Sequence, residues 1–451
     1  MEQERNYTNG DYKRLGRRIR KEPDNIAQED YQMLQDLRIA NKSALAATFK
    51  ALHHAALKID KDSVCTYRIK RIESIISKLI RFQDMEAQRI ADIAGCRCIM
   101  TSEENVMALY EHLKKKENKL PFIIRSEKNY IESPKENGYR SIHLNVQTKE
   151  PPLKVVEIQL RSLDQHNWAT LVEISDVLFQ SKLKEFGDKE NPDLYEFHRL
   201  LAKRDSELTL SDKKKISEIS GKYQYLERLG TLFTENHLNL RAQRNKLKTS
   251  RNAPFLLIST DKEGKPELKD FSNFDDAEIA YFETFLNNPE NKNIVLTHFK
   301  NTTFDKISIA YSNYFMTYNE TLFRILNSIA DVSVYAFNNY KIGEFKKNYK
   351  AFWFILSKWF GNKQKEVGLY NEDKNIRKSN KKKKEWTSSI TSNVAKVNRI
   401  IANMCQGFSS NIWHYFMKRK RTRLEKELAS KGYLFFNEKI SNTQLLLCKK
   451  K

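Results

Sequence analysis

Residues 139–161 read YRSIHLNVQTKEPPLKVVEIQLR. Alternate residues of a strand face the same side of a sheet, and this stretch holds two runs that obey that rule. In the first, Ile142, Leu144 and Val146 point one way, while Tyr139, Ser141, His143 and Asn145 point the other. In the second, Val156, Ile158 and Leu160 point one way, while Glu157, Gln159 and Arg161 point the other. Paired, the runs make one apolar face that needs cover. The opposite face carries ring, imidazole, carboxylate, amide and guanidinium groups. A sheet with one solvated face has the same pattern, so parity predicts the strands and leaves the use of the polar face open.

Around this pair, periodicity predicts further strands over 95–100 and 121–125. It predicts helices over 72–82, 105–116 and 164–181, which makes a mixed α/β unit. Lys70, Ser74 and Lys78 recur at i, i+4 and i+8, so one helical face carries two ammonium groups and a hydroxyl. That set suits phosphate oxygens, and a solvated face is the plain alternative. Pro134, Asn137 and Gly138 mark a turn that sets Lys135 beside Tyr139.

Four ordered segments carry a resemblance: RIKRIESIISK (68–78), RIADIAGCRCI (89–99), KNYIESPKENGYRSIHLNV (128–146) and VVEIQLRSLDQHNWAT (155–170). With their internal spacings they resemble the synthetase domain of the RelA/SpoT family, most of all its small single-domain alarmone synthetases. The resemblance covers roughly residues 40–180. It implies a nucleotidyltransferase-like mixed sheet and a reaction that moves the β,γ-pyrophosphate of ATP onto a ribose 3′-hydroxyl, usually of GDP or GTP.

Carried over residue by residue, the resemblance implies that Arg68 and Arg97 sandwich the adenine, since planar guanidinium groups suit stacking. Lys70, Ser74 and Lys78 would hold the ATP phosphates. Asp92 and Glu157 would ligate Mg2+, a hard ion that takes carboxylate and phosphate oxygens. Glu157 would also accept the proton of the attacking hydroxyl. Tyr139 would stack on the acceptor base, with Lys128, Lys135, Asn137, His143, Gln159 and Arg161 around the acceptor's phosphates and ribose. The chain departs from the family at Ser162, where a threonine is common, and in LVEISD (171–176), where small synthetases carry a Glu-His pair. The chain has no His-Asp dipeptide, so the family's hydrolase half is not expected.

Outside this unit the reading is coarser. Residues 1–65 have helical periodicity. The synthetase-like unit is bounded at 66–180, and 181–253 reads as a polar helical connector. Residues 254–316 read as a small α/β module, strand–turn–strand–helix–strand–helix. Residues 317–378 read as helical and aromatic-rich, with the aromatic run 352–360 taken as core or an oligomer contact rather than a membrane anchor. Residues 379–451 read as a basic, helical C-terminal region. The fold class expected is thus α/β, with a helical and small α/β C-terminal half.

Of 451 residues 40% are hydrophobic, and the N-terminal MEQERNYTNGDYKR offers no apolar stretch for a secretory signal. A soluble cytoplasmic protein with no membrane segment is expected. The five cysteines show no CxxC spacing; Cys96 and Cys98 alternate inside an apolar run and read as small buried strand residues. Residues 351–451 hold 23 Lys and Arg against 7 Asp and Glu, which is +16 of the net +23. A basic tail interleaved with Trp386, Trp413, Tyr415 and Phe416 suits RNA. Three functions therefore stand side by side: an alarmone synthetase, a toxin of the same family that modifies the 3′-end of tRNA, and a nucleotide-binding module without catalysis. The Asp92/Glu157 pair speaks against the third, and the tail's charge is what favours the second.

Overall fold

The computed structural model describes residues 7–151, 153–181, 191–229, 253–260, 266–287, 294–298 and 320–355, with short pieces at 183, 187–189, 399–404, 423, 426, 433–436 and 446–449. The chain forms two compact units, one of residues 1–169 and 239–314, the other of 170–238 and 315–451.

The first unit opens with three helices, α1 (Asn9–Lys21), α2 (Gln28–Ile39) and α3 (Lys42–Ile59), followed by β1 (Val64–Ile69) and α4 (Ile72–Arg81). Next come β2 (Ala94–Met100), α5 (Glu103–Lys114), β3 (Phe122–Asn129), β4 (Ile142–Thr148), β5 (Val155–Ser162) and α6 (Leu163–Leu178), which runs past the end of the unit. The predicted helices and strands of this region are present, with ends shifted by a few residues. The strand β1 is an addition. Its sequence, VCTYRI, gives too short a run to announce itself after a long helical stretch.

Alternation holds along β4 and along β5 as far as Leu160: Ile142, Leu144, Val146, Val156, Ile158 and Leu160 are all fully buried, and Arg161 and Ser162 are buried as well. They join Cys96, Cys98, Tyr67 and the inner faces of α3 and α5 in one core. A second core packs Leu15 and Ile19 of α1 and Leu34 and Leu37 of α2 against Ile72, Ile75 and Leu79 of α4. That burial fixes α4 by its apolar side and turns Ser74 and Lys78 away from the core. Lys70 itself lies outside α4. The β1–β2 ladder runs on past Ile69, with the Lys70 amide donating to the Ile93 carbonyl at 2.7 Å, so Lys70 stands in the turn before the helix.

Residues 255–298 contribute β6 (Phe255–Thr260), β7 (Pro266–Phe271), α9 (Phe274–Asn287) and β8 (Val295–His298) to the first unit; α7 (Pro192–Leu201) and α8 (Leu210–Lys222), which precede them in the chain, belong to the second. The strand–strand–helix–strand order follows the sequence reading, but these strands do not make a separate sheet. All eight strands form one mixed sheet in the order β3-β4-β5-β2-β1-β8-β6-β7. The join is antiparallel pairing of β8 with β1, Cys65 opposite His298 and Tyr67 opposite Leu296. Without β8, the buried strand β1 would present an unpaired edge. The second helix expected in this module lies outside the described residues.

In the second unit, Leu194, Phe197, Leu200 and Leu201 of α7 and Ile216 and Ile219 of α8 are buried, as are Phe323, Ile325, Leu326 and Ile329 of α10 (Glu320–Asn338). Lys213 pairs with Asp331 at 2.6 Å and Arg324 with Asp205 at 2.6 Å. Of the aromatic run, Phe352 and Trp353 are buried and Phe354 is exposed, while residues 356–360 lie outside the described residues. Among the described residues no helix is long and apolar enough to cross a membrane. Most of 379–451 also falls outside them. There β9 (Tyr433–Phe436) and β10 (Leu446–Lys449) pair antiparallel, which replaces part of the helical pattern expected for the tail. Aromatic and β-forming residues in YLFF explain the difference.

Candidate active site

Strand register assembles the polar face into two transverse rows. The first runs Arg68 on β1, Gly95 on β2, Glu157 on β5, Asn145 on β4 and Ser126 on β3. The second runs Thr66, Arg97, Gln159, His143 and Lys128 on the same strands. Residues opposite one another in a ladder share a face, so Arg68, Arg97, Glu157, Gln159, His143 and Lys128 all stand on one side of the sheet. Gly95 leaves a gap in this face between Arg68 and Glu157. A Cβ added there would meet only the Glu157 carbonyl, at 3.6 Å, an ordinary contact.

Asp92, two residues before β2, draws in both lysines. Lys70 Nζ lies 2.5 Å from Oδ2 and Lys78 Nζ 2.9 Å from Oδ1, all three side chains being no more than a quarter exposed. Burial pushes the Asp92 carboxyl up, but the two ammonium groups outweigh it and hold it down at about 2. Burial also keeps the Lys70 ammonium below the ordinary lysine range, against the pull of Asp92. Ser74 is half-buried on α4, one turn before Lys78.

A second network joins the β5 and β4 residues. His143 Nδ1 is 2.9 Å from Glu157 Oε1, and its Nε2 is 2.7 Å from the Tyr139 hydroxyl. Gln159 Nε2 donates to Glu157 Oε2 at 2.7 Å, and its Oε1 accepts from Arg97 Nε at 3.2 Å and Arg161 Nη2 at 3.1 Å. Arg161 Nη2 also donates to the Tyr139 hydroxyl at 2.6 Å. Burial raises the Glu157 carboxyl, but the bond and charge of His143, with the Gln159 bond, bring it below the ordinary glutamate range. The charge of Asp92 acts on Glu157 in the opposite sense. Against its own burial, His143 is raised by Glu157 and Tyr139. Burial likewise opposes the Tyr139 phenol's ionisation, yet Arg161 and His143 bring it down to about 7.

The turn before β4 is held by local geometry. The Asn137 Oδ1 accepts from the Tyr139 amide at 3.0 Å, and the Gly138 amide donates to the Lys135 carbonyl at 2.7 Å. Gly138 has φ 89, a conformation that side chains disfavour. Lys135 Nζ sits 4.7 Å from the Tyr130 ring centroid and 5.2 Å from that of Tyr139. Tyr139 also meets Tyr130 edge-on at 5.9 Å and Trp168 at 6.5 Å. Its hydroxyl is therefore engaged and its ring half-enclosed by Lys135, Arg161, Tyr130 and Trp168. Arg161 Nε is buried and meets no acceptor among the described residues.

Thus Lys70, Lys78 and Asp92 form one cluster, and Arg97, Glu157, Gln159, His143, Tyr139 and Arg161 form another. Lys128 and Arg68 stand exposed on the same face. Sequence reasoning missed Tyr130 and Trp168, which pack on Tyr139, and Arg38, whose Nε donates to the Lys70 carbonyl at 2.8 Å. Tyr130 stands two residues past Lys128, the partner of His143 across β3 and β4, a parity signal that was available; Arg38 gives none, because nothing local links a helix residue to a turn 32 positions away.

Two half-buried carboxylates, with the charge of Asp92 felt at Glu157 and lysines alongside, match what a hard divalent ion needs: one or two carboxylates, with phosphate and water completing the shell. Among the described residues no group of three or more His, Cys, Asp or Glu side chains is placed to hold a metal. Substrate oxygens would have to supply the rest, which fits magnesium bound together with a nucleotide.

Residues 67–181 match the family model described as "Region found in RelA / SpoT proteins". The GTP pyrophosphokinase YwaC of Bacillus subtilis is 35% identical over 115 residues, 23% of this chain and 53% of that protein. The chain thus spans about half the length of that relative. The GTP pyrophosphokinase YjbM of the same organism is 30% identical over 166 residues, 35% of this chain and 72% of the relative. The crystal structure of small alarmone synthetase 1 from Bacillus subtilis bound to its product pppGpp is 27% identical, covering 35% of this chain and 78% of that chain at a TM-score of 0.27.

Proposed function

This chain belongs to the RelA/SpoT family, and from that membership we propose that it transfers the β,γ-pyrophosphate of ATP to the ribose 3′-hydroxyl of GDP or GTP, making a (p)ppGpp-type alarmone. The observation that carries the reading is the shared polar face, with the Lys70–Asp92–Lys78 cluster beside Gly95 and Glu157. Relatives named GTP pyrophosphokinases support the choice of acceptor.

In this reading Arg68 and Arg97, diagonal neighbours on β1 and β2, offer guanidinium planes to the adenine. Lys70, Ser74 and Lys78 take the phosphates, and the lysines exchange part of their contact with Asp92 for ATP oxygens. Asp92 and Glu157 would hold magnesium, which would neutralise charge on the transferred group. The acceptor base stacks on Tyr139, while Lys128, Lys135, Asn137, Gln159 and Arg161 approach its phosphates and ribose. The 3′-oxygen attacks the β-phosphorus, its bond forms as the bond to the α-phosphate oxygen breaks, and AMP leaves. Glu157, already anionic at neutral pH, takes the hydroxyl proton, and His143 holds that carboxylate in place. Catalysis by positioning and charge stabilisation is what phosphoryl-type transfer asks of a protein.

The tRNA reading is favoured by the +16 of residues 351–451, and one experiment separates the two. The chain is incubated with magnesium, ATP labelled at the γ-phosphate, and GDP, GTP or total tRNA in separate reactions. Label in guanine nucleotide, with release of AMP, is the expected result. Label only in tRNA would overturn the acceptor assignment, and no transfer to any acceptor would overturn the enzymatic reading.

A further inference from the structure

The backbone that presents Arg68 and Lys70 is anchored by side chains from outside the family-matched segment. Strand β8 pairs with β1 only as far as Tyr67. Two residues on, no strand among the described residues lies beyond the Ile69 amide on that side, and the Tyr281 hydroxyl of α9 accepts it at 2.9 Å. At the adjacent residue, the Lys70 carbonyl accepts from Arg38 Nε of α2 at 2.8 Å. Arg38 in turn lies 4.0 Å from the Phe285 ring centroid of α9 and donates through Nη1 to Gln35 at 2.6 Å. One turn back along α9, Glu278 accepts from the Tyr67 hydroxyl at 2.9 Å. Tyr67 and Tyr281 are fully buried and meet edge-on at 5.1 Å. Arg38 is 4% exposed, which for a guanidinium signals a fixed place.

We propose that helix α9 is a working part of the donor site: Tyr281 directly, and Phe285 through Arg38, hold the Ile69–Lys70 segment at both ends and with it position the Lys70 ammonium and the Arg68 guanidinium that face ATP. Residues 274–287 would then set ATP affinity without touching ATP. The reasoning is geometric. A hydroxyl and a guanidinium grip the amide before Lys70 and the carbonyl after its Cα, so a shift of α9 moves the root of both cationic side chains. A small misplacement at the root is enough, because phosphate contacts need correct geometry within fractions of an ångström. The acceptor residues on β3, β4 and β5 lie on the other side of β2 and share none of these contacts.

This inference rests on the proposed function, so the test separates the two. Binding of a non-hydrolysable ATP analogue with magnesium, and of GDP, is measured by calorimetry on the full chain, with KM and kcat for both substrates alongside. Tyr281→Phe keeps the ring and removes only the acceptor oxygen. It should weaken the ATP analogue about 3–10-fold, the upper end being set by the worth of the one scaffold hydrogen bond lost, and raise the KM for ATP to match. GDP affinity should stay within twofold of the unaltered chain. Phe285→Leu should act in the same direction, whereas Ile279→Ser, on the half-exposed side of α9, should leave both affinities unchanged. Equal weakening for ATP and GDP would mean a general structural role and overturn the inference. Unchanged ATP affinity in folded Tyr281→Phe would also overturn it while leaving the function intact. No analogue binding by the unaltered chain would remove the function reading and this one with it.

Discussion

Consider Asp92→Asn. The carboxylate bridges Lys70 and Lys78 at 2.5 and 2.9 Å, and its side chain is 24% exposed. Removing one partner of a fully buried ion pair costs about 3–5 kcal/mol. With part of the cluster in water, and an amide still able to accept a bond, a loss of about 2 kcal/mol is the reasonable figure. For a unit of this size that lowers Tm by roughly 4–8 °C. The protein should stay folded at 25 °C, so activity can be read cleanly. There the loss should be far larger, about 100-fold or more in kcat, because a charged oxygen at the transferred group is worth about 3–4 kcal/mol. The assay is the labelled-ATP transfer at saturating magnesium, with Tm taken from the same preparation. Combining the change with Lys70→Met tests the alternative that Asp92 only neutralises lysines. The double variant should regain part of the lost Tm, since one of the two ammonium groups that lost its counterion is gone and only Lys78 remains uncompensated, and regain no activity. Turnover of Asp92→Asn within threefold of the unaltered chain, or recovery of turnover in the double variant, would refute the reasoning.

Two further outcomes are expected. Tyr139→Ala should weaken the guanine nucleotide by about 1–3 kcal/mol, the worth of base–aromatic stacking, with ATP-analogue binding unchanged in the same titrations; loss on the ATP side alone would reverse the assignment of the two pockets. Gly95→Val should fold with little change in Tm, since a Cβ there meets only the Glu157 carbonyl at 3.6 Å, yet it should abolish transfer by filling the gap between Arg68 and Glu157. A folded Gly95→Val with full turnover would show that substrates do not cross that part of the face.

The polar face was readable because alternation is local: a residue and its second neighbour suffice to place His143 with Asn145, and Glu157 with Gln159 and Arg161. Burial of Ile142, Leu144, Ile158 and Leu160 follows from the same pattern. Cys96 and Cys98, read as small core residues, are buried between β2's neighbours. What alternation does not carry is which strand lies beside which. VCTYRI and IVLTHF each look like a short apolar run, and nothing in either says that Cys65 will face His298. Lys70 illustrates the same limit at finer grain. Lys70 stands before the helix, as the predicted start at 72 implies, but its amide extends the β1–β2 ladder to Ile93, so the i, i+4, i+8 spacing with Ser74 and Lys78 does not describe one helical face. The two lysines meet all the same, through Asp92 rather than through helical spacing.

The sheet order gives the proposed reaction a direction. In β3-β4-β5-β2-β1, the residues assigned to ATP come from β1, β2, the turn into α4 and α4 itself, and those assigned to the acceptor come from β3, the turn before β4, β4 and the far half of β5. Glu157 lies on the strand between them, beside Gly95. Donor and acceptor would therefore approach from opposite edges and meet over β5 and β2, where one carboxylate can serve the metal and the attacking hydroxyl together. The added strands β8, β6 and β7 attach at the β1 edge. Through β8 they join the donor half of the face, and they are remote along the sheet from the acceptor half. A signal received by residues 255–298 would on these grounds alter the use of ATP before it altered the choice of acceptor, whereas a change of acceptor would have to arise at β3, β4 or the turn that carries Lys135 and Tyr139.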